Sequence, residues 1–128
     1  FHDDGLIPVV STVGADASAQ PYNVNADDAA RAIAVAMGAE KLIYLTGAPG
    51  LLADPSDPAS LVHRLSAAEA RSRIAEEAVS GGMIPKLSAC AEAVEGGVGS
   101  AHMIDGRAEH AILVELFTDE GIGTMVTP

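Results

Sequence analysis

The run Lys41-Leu42-Ile43-Tyr44-Leu45-Thr46, followed at once by Gly47-Ala48-Pro49-Gly50, limits what this chain can become more than any other stretch. Its centre is apolar without a polar alternation, which is the pattern of a strand covered on both faces, and so of a parallel layer between helices. Glycines in the turn at the carboxyl end of such a strand let backbone N–H groups come close to a ligand, and open parallel sheets bind in that crevice. A plain turn also favours Pro and Gly, so the loop gains meaning only from what surrounds it.

The stretch before it supplies a helix. Asn25 is suited to cap that helix, because its side-chain oxygen can accept from an orphan backbone N–H, and Asp28 three residues on favours the positive end of the helix dipole. Ala26, Ala29, Ala30, Ile33, Ala34 and Met37 recur at helical spacing and form a narrow apolar face, and Gly38 stops the helix. Capping accounts for Asn25 and Asp28. It leaves Asn23 and Asp27 without a structural task, and chemistry is expected there.

Ile7 to Thr12 is an apolar run of strand length, and Gly14 to Tyr22 reads as the loop leading to Asn25. Phe1 to Asp4 has the character of a helix end, so an N-terminal half is expected to be missing. Ala53 to Ser60 reads as a surface excursion with no chemistry, and Leu61 to Leu65 as a short strand. Ser66-Ala67-Ala68-Glu69 is a capping box opening a helix to about Val79. A further helix begins at Met83-Ile84-Pro85-Lys86 and runs through Cys90 and Val94 to Gly96-Gly97. Ser100 to Gly106 reads as a strand and turn, Ala108 to Phe117 as a helix, and Gly123 to Val126 as the last strand. Strands alternate with helices and nothing repeats. The expected fold is α/β, a layered αβα arrangement with a largely parallel central sheet.

Composition narrows the function. With 128 residues and 48% hydrophobic content the chain can bury a core of its own. A formal charge of −11 argues against a nucleic-acid surface, and Lys41 and Lys86 are the only lysines. Lys86 falls in a first helical turn, where the dipole disfavours a cation unless an anion such as phosphate shares the terminus. It is no Walker lysine, because no Gly precedes it and Leu87 follows it. One cysteine, Cys90, excludes an internal disulfide. His102 and His110 are too far apart for a local metal pair, and single histidines are more often structural or exposed; no metal site is expected. No apolar run is long enough to span a bilayer, so membrane association is not expected and a cytoplasmic location is.

Taken in order, Ile7-Pro8-Val9-Val10, Tyr22-Asn23-Val24-Asn25-Ala26-Asp27, Leu45-Thr46-Gly47-Ala48-Pro49-Gly50-Leu51, Gly82-Met83-Ile84-Pro85-Lys86, His102-Met103-Ile104-Asp105-Gly106 and Glu115 to Thr124 resemble the amino-acid kinase family. Within it the similarity is to members whose acceptor is N-acetyl-L-glutamate. It covers essentially the whole chain, residues 1–128, as a single ATP-binding, carboxyl-terminal lobe of the carbamate-kinase-like fold. The resemblance implies transfer of a phosphoryl group from ATP, carried with Mg²⁺, to the side-chain carboxylate of N-acetyl-L-glutamate, a step of arginine biosynthesis.

By that resemblance Asn23 contacts the acetylglutamate, Asp27 orients the catalytic lysines, and Lys86 draws negative charge off the transferring phosphoryl group. The nucleotide is implied to lie on Gly47, Ala48, Pro49, Gly50, Leu51 and Leu52 and beside Ala78, Val79 and Ser80. His110, Glu115 and Gly121 are similar to the segment that binds feedback arginine in inhibited members, and the full-length protein is implied to be a homo-oligomer, dimer or hexamer. Family members usually carry Asp where this chain has Gly47, which puts one polar contact to the nucleotide in question. The family's second catalytic lysine, its phosphate loop and most of the acceptor pocket belong to its N-terminal half. The chain by itself is therefore expected to bind nucleotide without kinase activity. Competing readings are an acetylaminoadipate or aspartate acceptor, or a non-catalytic nucleotide- or arginine-binding module. Lys86 with Asp27 separates the last from the others, since a sensor needs neither at a transferring phosphate.

Overall fold

A computed structural model describes residues 5–128. The first strands form a small hairpin, β1 (Val13–Ala15) with β2 (Pro21–Asn23), antiparallel, and the chain then enters α1 (Ala26–Met37). β3 (Lys41–Thr46) follows, then β4 (Arg64–Ser66), α2 (Ala67–Ala75), α3 (Met83–Glu95), β5 (Ser100–Asp105), α4 (Ala111–Phe117) and β6 (Thr124–Thr127). The main sheet has the order β3-β5-β6-β4. β3 pairs with β5 and β4 with β6 in parallel, whereas β5 and β6 run antiparallel, so the sheet is largely but not wholly parallel.

Side-chain parity makes this sheet the middle layer. Along β5, Ala101 and Met103 join the core that contains Leu42, Tyr44, Leu87, Cys90 and Val126, and α3 packs against that side together with α1 and α2. The alternate residues Ser100, His102 and Ile104 are buried too, and α4 packs against β5. Covered on both faces, β5 carries no solvent-facing alternation; β3, whose apolar run led one to expect the same, is instead an edge strand that buries Leu42 and Tyr44 on one face and leaves Lys41 and Leu45 exposed on the other. In α3, Ala89, Ala91 and Ala93 are at most 5% exposed, and their small side chains let helices and sheet approach closely. Burying larger side chains such as Leu87, Met103 and Ile104 stabilises the fold by roughly 1.5–3 kcal/mol each.

Several boundaries differ from those read in the sequence. Ile7 to Thr12 is not a strand: only its last residue, whose carbonyl accepts from Val24 N at 2.9 Å, has a backbone partner among the described residues, and Ile7 and Val9 are 90% and 95% exposed. An apolar run becomes a strand only where a partner offers a ladder and cover. The expected loop 14–22 instead closes the hairpin, because the Asp16 carboxylate accepts from Ser18 N, Gln20 N and the Ser18 and Tyr22 hydroxyls. The fourth strand begins at Arg64, with Leu61 making only an isolated bridge to Leu52. α2 stops at Ala75 rather than Val79, since Glu77 takes a left-handed conformation, and α4 starts at Ala111 after a left-handed His110. The helix end expected at Phe1 to Asp4 lies outside the described residues.

Local signals hold elsewhere. Asn25 caps α1, Gly38 ends it at φ 61°, and the Ser66–Glu69 capping box is complete in both directions.

Candidate active site

α1 begins where Asn25 Oδ1 accepts from the backbone of Asp27 (2.9 Å) and Asp28 (3.1 Å). Because Asn25 does the capping, the Asp27 carboxylate is left to reach outward. It meets Lys86 of α3, whose Nζ lies 2.8 Å from Asp27 Oδ2. The two side chains are 31% and 32% exposed, open enough to receive a ligand and shielded enough to feel each other. Gly82 provides α3 with no side-chain cap, but Ile84 N donates to the Gly81 carbonyl at 3.3 Å and Pro85 has no N–H, so the charge this terminus offers an anion is chiefly that of Lys86. The cation that sits awkwardly in a first helical turn thus has a carboxylate partner from a different helix.

The floor under this pair is buried. The Tyr44 hydroxyl, from β3, donates to the Asp27 carbonyl at 2.9 Å. Burial first, then the nearby Cys90 and Asp27, raise the Tyr44 pKa and keep the hydroxyl a donor. Cys90, one turn after Lys86, is pushed up to about 12, chiefly by burial and further by Asp27. It is an inert thiol.

A cleft of about 170 Å³ opens beside the β3 loop. Ala48, Pro49, Gly50, Leu51 and Leu52 line one side and Ala78, Val79 and Ser80 another, so two sequence segments expected at the nucleotide meet there. Gly47 does not line it. Pro55, from the excursion to which no chemistry was given, and Met83, three residues before Lys86 on α3, complete the wall. The excursion is held by its own side chains: Asp54 Oδ1 accepts from Ser56 N (2.8 Å), and the Ser60 hydroxyl donates to carbonyls of Asp54 and Asp57. Thr46 Oγ1 closes the loop start on Ala48, and Leu51 N donates to Thr124 Oγ1 at 2.8 Å. Asn23 ends β2, exposed, two residues before the α1 cap.

A second depression, of about 150 Å³, contains Glu115 and Gly121 together with Lys41, His63, His102, Asp119 and Glu120. His110 is not among them. It lies against Leu45, Gly106 and Ile112 in a separate hollow. Glu115 is anchored on both oxygens: His102 Nδ1 donates to Oε1 at 2.7 Å, and the backbone N–H groups of Ile122 and Gly123 donate to Oε2 at 2.8 and 3.0 Å. Burial would raise its pKa, but these donors prevail and hold it below the usual carboxylate value. His102 Nε2 in turn meets the Ser100 hydroxyl at 2.9 Å. Sequence reading set His102 aside. Its signal was a histidine inside a strand with no polar alternation, which must find a partner when buried.

No helix among the described residues is long and apolar enough to cross a membrane.

Comparison with known proteins agrees with this geometry. The amino acid kinase family matches residues 1–105. An acetylglutamate kinase from Acaryochloris marina is 54% identical over 98% of this chain and 44% of its own length. One from Methanothermobacter thermautotrophicus is 50% identical over 98% of this chain and 43% of its own. The chain thus spans less than half the length of these relatives. Among solved structures, N-acetylglutamate synthase from Neisseria gonorrhoeae, complexed with coenzyme A and L-arginine, superposes with a TM-score of 0.87 at 35% identity, covering 98% of this chain and 28% of that one. Carbamate kinase from Giardia lamblia bound to AMP-PNP, at 16% identity, shares the fold with a TM-score of 0.65 over 90% of this chain and 40% of its own. An α/β sheet of this order, a glycine-rich loop at the end of β3 and a lysine–carboxylate pair joining α1 to α3 accompany these matches, and the chain belongs to the amino acid kinase family.

Proposed function

We propose that this chain is the nucleotide-binding, carboxyl-terminal part of an acetylglutamate kinase, which passes the terminal phosphoryl group of ATP to the side-chain carboxylate of N-acetyl-L-glutamate. The observation that carries the reading is Lys86 Nζ at 2.8 Å from Asp27 Oδ2, on the helix whose Met83 lines the cleft below the β3 loop. Sequence identity of 54% to an acetylglutamate kinase supports the choice of acceptor.

In that reaction a carboxylate oxygen, already ionised, attacks the terminal phosphorus. The bond to the bridging oxygen breaks, and ADP leaves with its electron pair, giving an acyl phosphate. No proton has to move, so the protein's work is alignment and charge stabilisation. Lys86 places a compact positive charge at the transferring group, and Asp27 keeps that ammonium aimed. Ala48 to Leu52 and Ala78 to Ser80, which line the cleft, hold the nucleotide, and Asn23 orients the acceptor. Among the described residues no three His, Cys, Asp or Glu side chains converge as a metal cage. Mg²⁺ brought with the nucleotide would supply charge neutralisation at its phosphates.

Calorimetric titration with Mg-ATP tests the reading. Saturable binding that weakens about tenfold or more in Lys86→Ala is expected. Absence of binding, or binding indifferent to Lys86, contradicts it. Acyl phosphate, trapped with hydroxylamine, is expected only when an N-terminal half is supplied, and its formation by this chain alone contradicts the division of labour. The parent enzyme is read as a cytoplasmic homo-oligomer, dimer or hexamer.

A second reading rests on the Glu115 depression. Its anchored carboxylate, with Asp119, Glu120 and Gly121 around it, suits a guanidinium, and we read it as a feedback-arginine site. His110, remote from it in the fold, has no part in that reading. Arginine that leaves the activity of the complete enzyme unchanged would remove the idea.

A further inference from the structure

Resting on the kinase reading above, we infer that Tyr44 is a positioning residue of the phosphoryl-transfer site, fixing Asp27 from below and through it the Lys86 ammonium. Three elements converge there. Tyr44 rises from β3 and is 6% exposed, so its ring belongs to the core, yet its hydroxyl donates to the Asp27 carbonyl at 2.9 Å, seventeen residues back in the chain. Asp27 lies in the first turn of α1, and its carboxylate holds Lys86 of α3. Cys90, fully buried one turn beyond Lys86, completes an apolar floor.

First turns of helices fray, and the Asn25 cap acts only on the backbone N–H groups of Asp27 and Asp28. The tyrosine hydroxyl acts on the opposite polarity of the same turn, at a carbonyl. With both in place the Asp27 backbone is clamped between cap and sheet, and from there its carboxylate meets Lys86 Nζ. A buried hydroxyl that reaches past its own core to a helix carbonyl is more than packing needs, since phenylalanine fills the same volume. Alignment errors of about 1 Å cost catalysts heavily, which gives such a tether its function.

The experiment compares Tyr44→Phe with wild type and with Val126→Ala, a core truncation in β6 that also lowers stability. The nitrogen-15 resonance of the Lys86 ammonium is followed without nucleotide, and Mg-ATP affinity is measured separately. Tyr44→Phe is expected to broaden or lose the ammonium signal and to weaken Mg-ATP binding roughly three- to tenfold. Val126→Ala, with a similar fall in melting temperature, is expected to keep both. If Tyr44→Phe behaves as Val126→Ala does, the tyrosine is core alone and the inference is wrong. If wild type fails to bind Mg-ATP, or Lys86→Ala leaves binding intact, the kinase reading falls instead. The nucleotide-free ammonium signal still decides then whether Tyr44 holds the pair.

Discussion

Gly50 lies so close to Thr124 that a Cβ on it would stand 2.5 Å from the Thr124 Oγ1, which already accepts from Leu51 N. The same backbone has φ 146°, a conformation that side chains disfavour. Gly50→Ala therefore meets both strain and a clash inside the cleft wall. A loss of about 2–4 kcal/mol in urea unfolding is expected, with Mg-ATP binding lost in any molecules that still fold. Wild-type stability in the variant would show that the loop is free to rearrange.

Gly47 presents the opposite case. A Cβ there meets nothing within 4 Å, and no left-handed conformation is required. Gly47→Asp is thus expected to fold with stability within about 0.5 kcal/mol of wild type. If the family's usual Asp serves the nucleotide from this position, Mg-ATP should bind roughly two- to tenfold more tightly. Unchanged affinity by calorimetry would detach residue 47 from the nucleotide.

Lys86 and Asp27 are each about one-third exposed, so solvent screens the pair and its share of stability is small. Lys86→Met is expected to shift the unfolding free energy by no more than about 1 kcal/mol. Its effect on the reconstituted kinase should be far larger, about a hundredfold or more in kcat, because stabilising a transferring phosphoryl group is where the charge acts. A fall in stability that matches the fall in rate would make the pair structural.

What could be read beforehand follows from range. Asn25, Gly38 and the Ser66–Glu69 box act within four residues, and each lies where its chemistry placed it. The six-residue β3 run declared a strand but not its cover, since at the edge of the sheet it buries Leu42 and Tyr44 and leaves Leu45 exposed. Ile7 to Thr12 misled because an apolar run states a need for cover without saying what provides it. The antiparallel turn of β6 against β5, the reach of Tyr44 to Asp27 and that of His102 to Glu115 are tertiary pairings, invisible to any local window. At the site, the two walls of the cleft were legible from loop position and resemblance, whereas Pro55 and Met83 enter it only because the excursion and α3 fold back beside the loop.

Glu115 gives the clearest dependence on pH. Its side chain is 5% exposed, and donors from His102, Ile122 and Gly123 outweigh burial and lower its pKa in the folded chain. The unfolded chain, with an ordinary glutamate near pH 4.3, then binds the proton more readily than the folded one does. The stability that Glu115 contributes is accordingly complete above about pH 4.3, fades as the pH drops, and is lost once the depressed folded value is passed. Glu115→Gln keeps the size of the side chain and an acceptor oxygen but removes the charge. At neutral pH the variant should be less stable by about 2–4 kcal/mol, because His102 and two amides lose a charged partner. Near pH 3 the gap should narrow sharply, although both proteins weaken there as Asp105, held at about 2 by Arg107, and other paired carboxylates approach protonation. Urea unfolding of the two proteins at several pH values measures the gap directly. A difference that stays constant from neutral to acid would mean that shape rather than charge makes Glu115 matter.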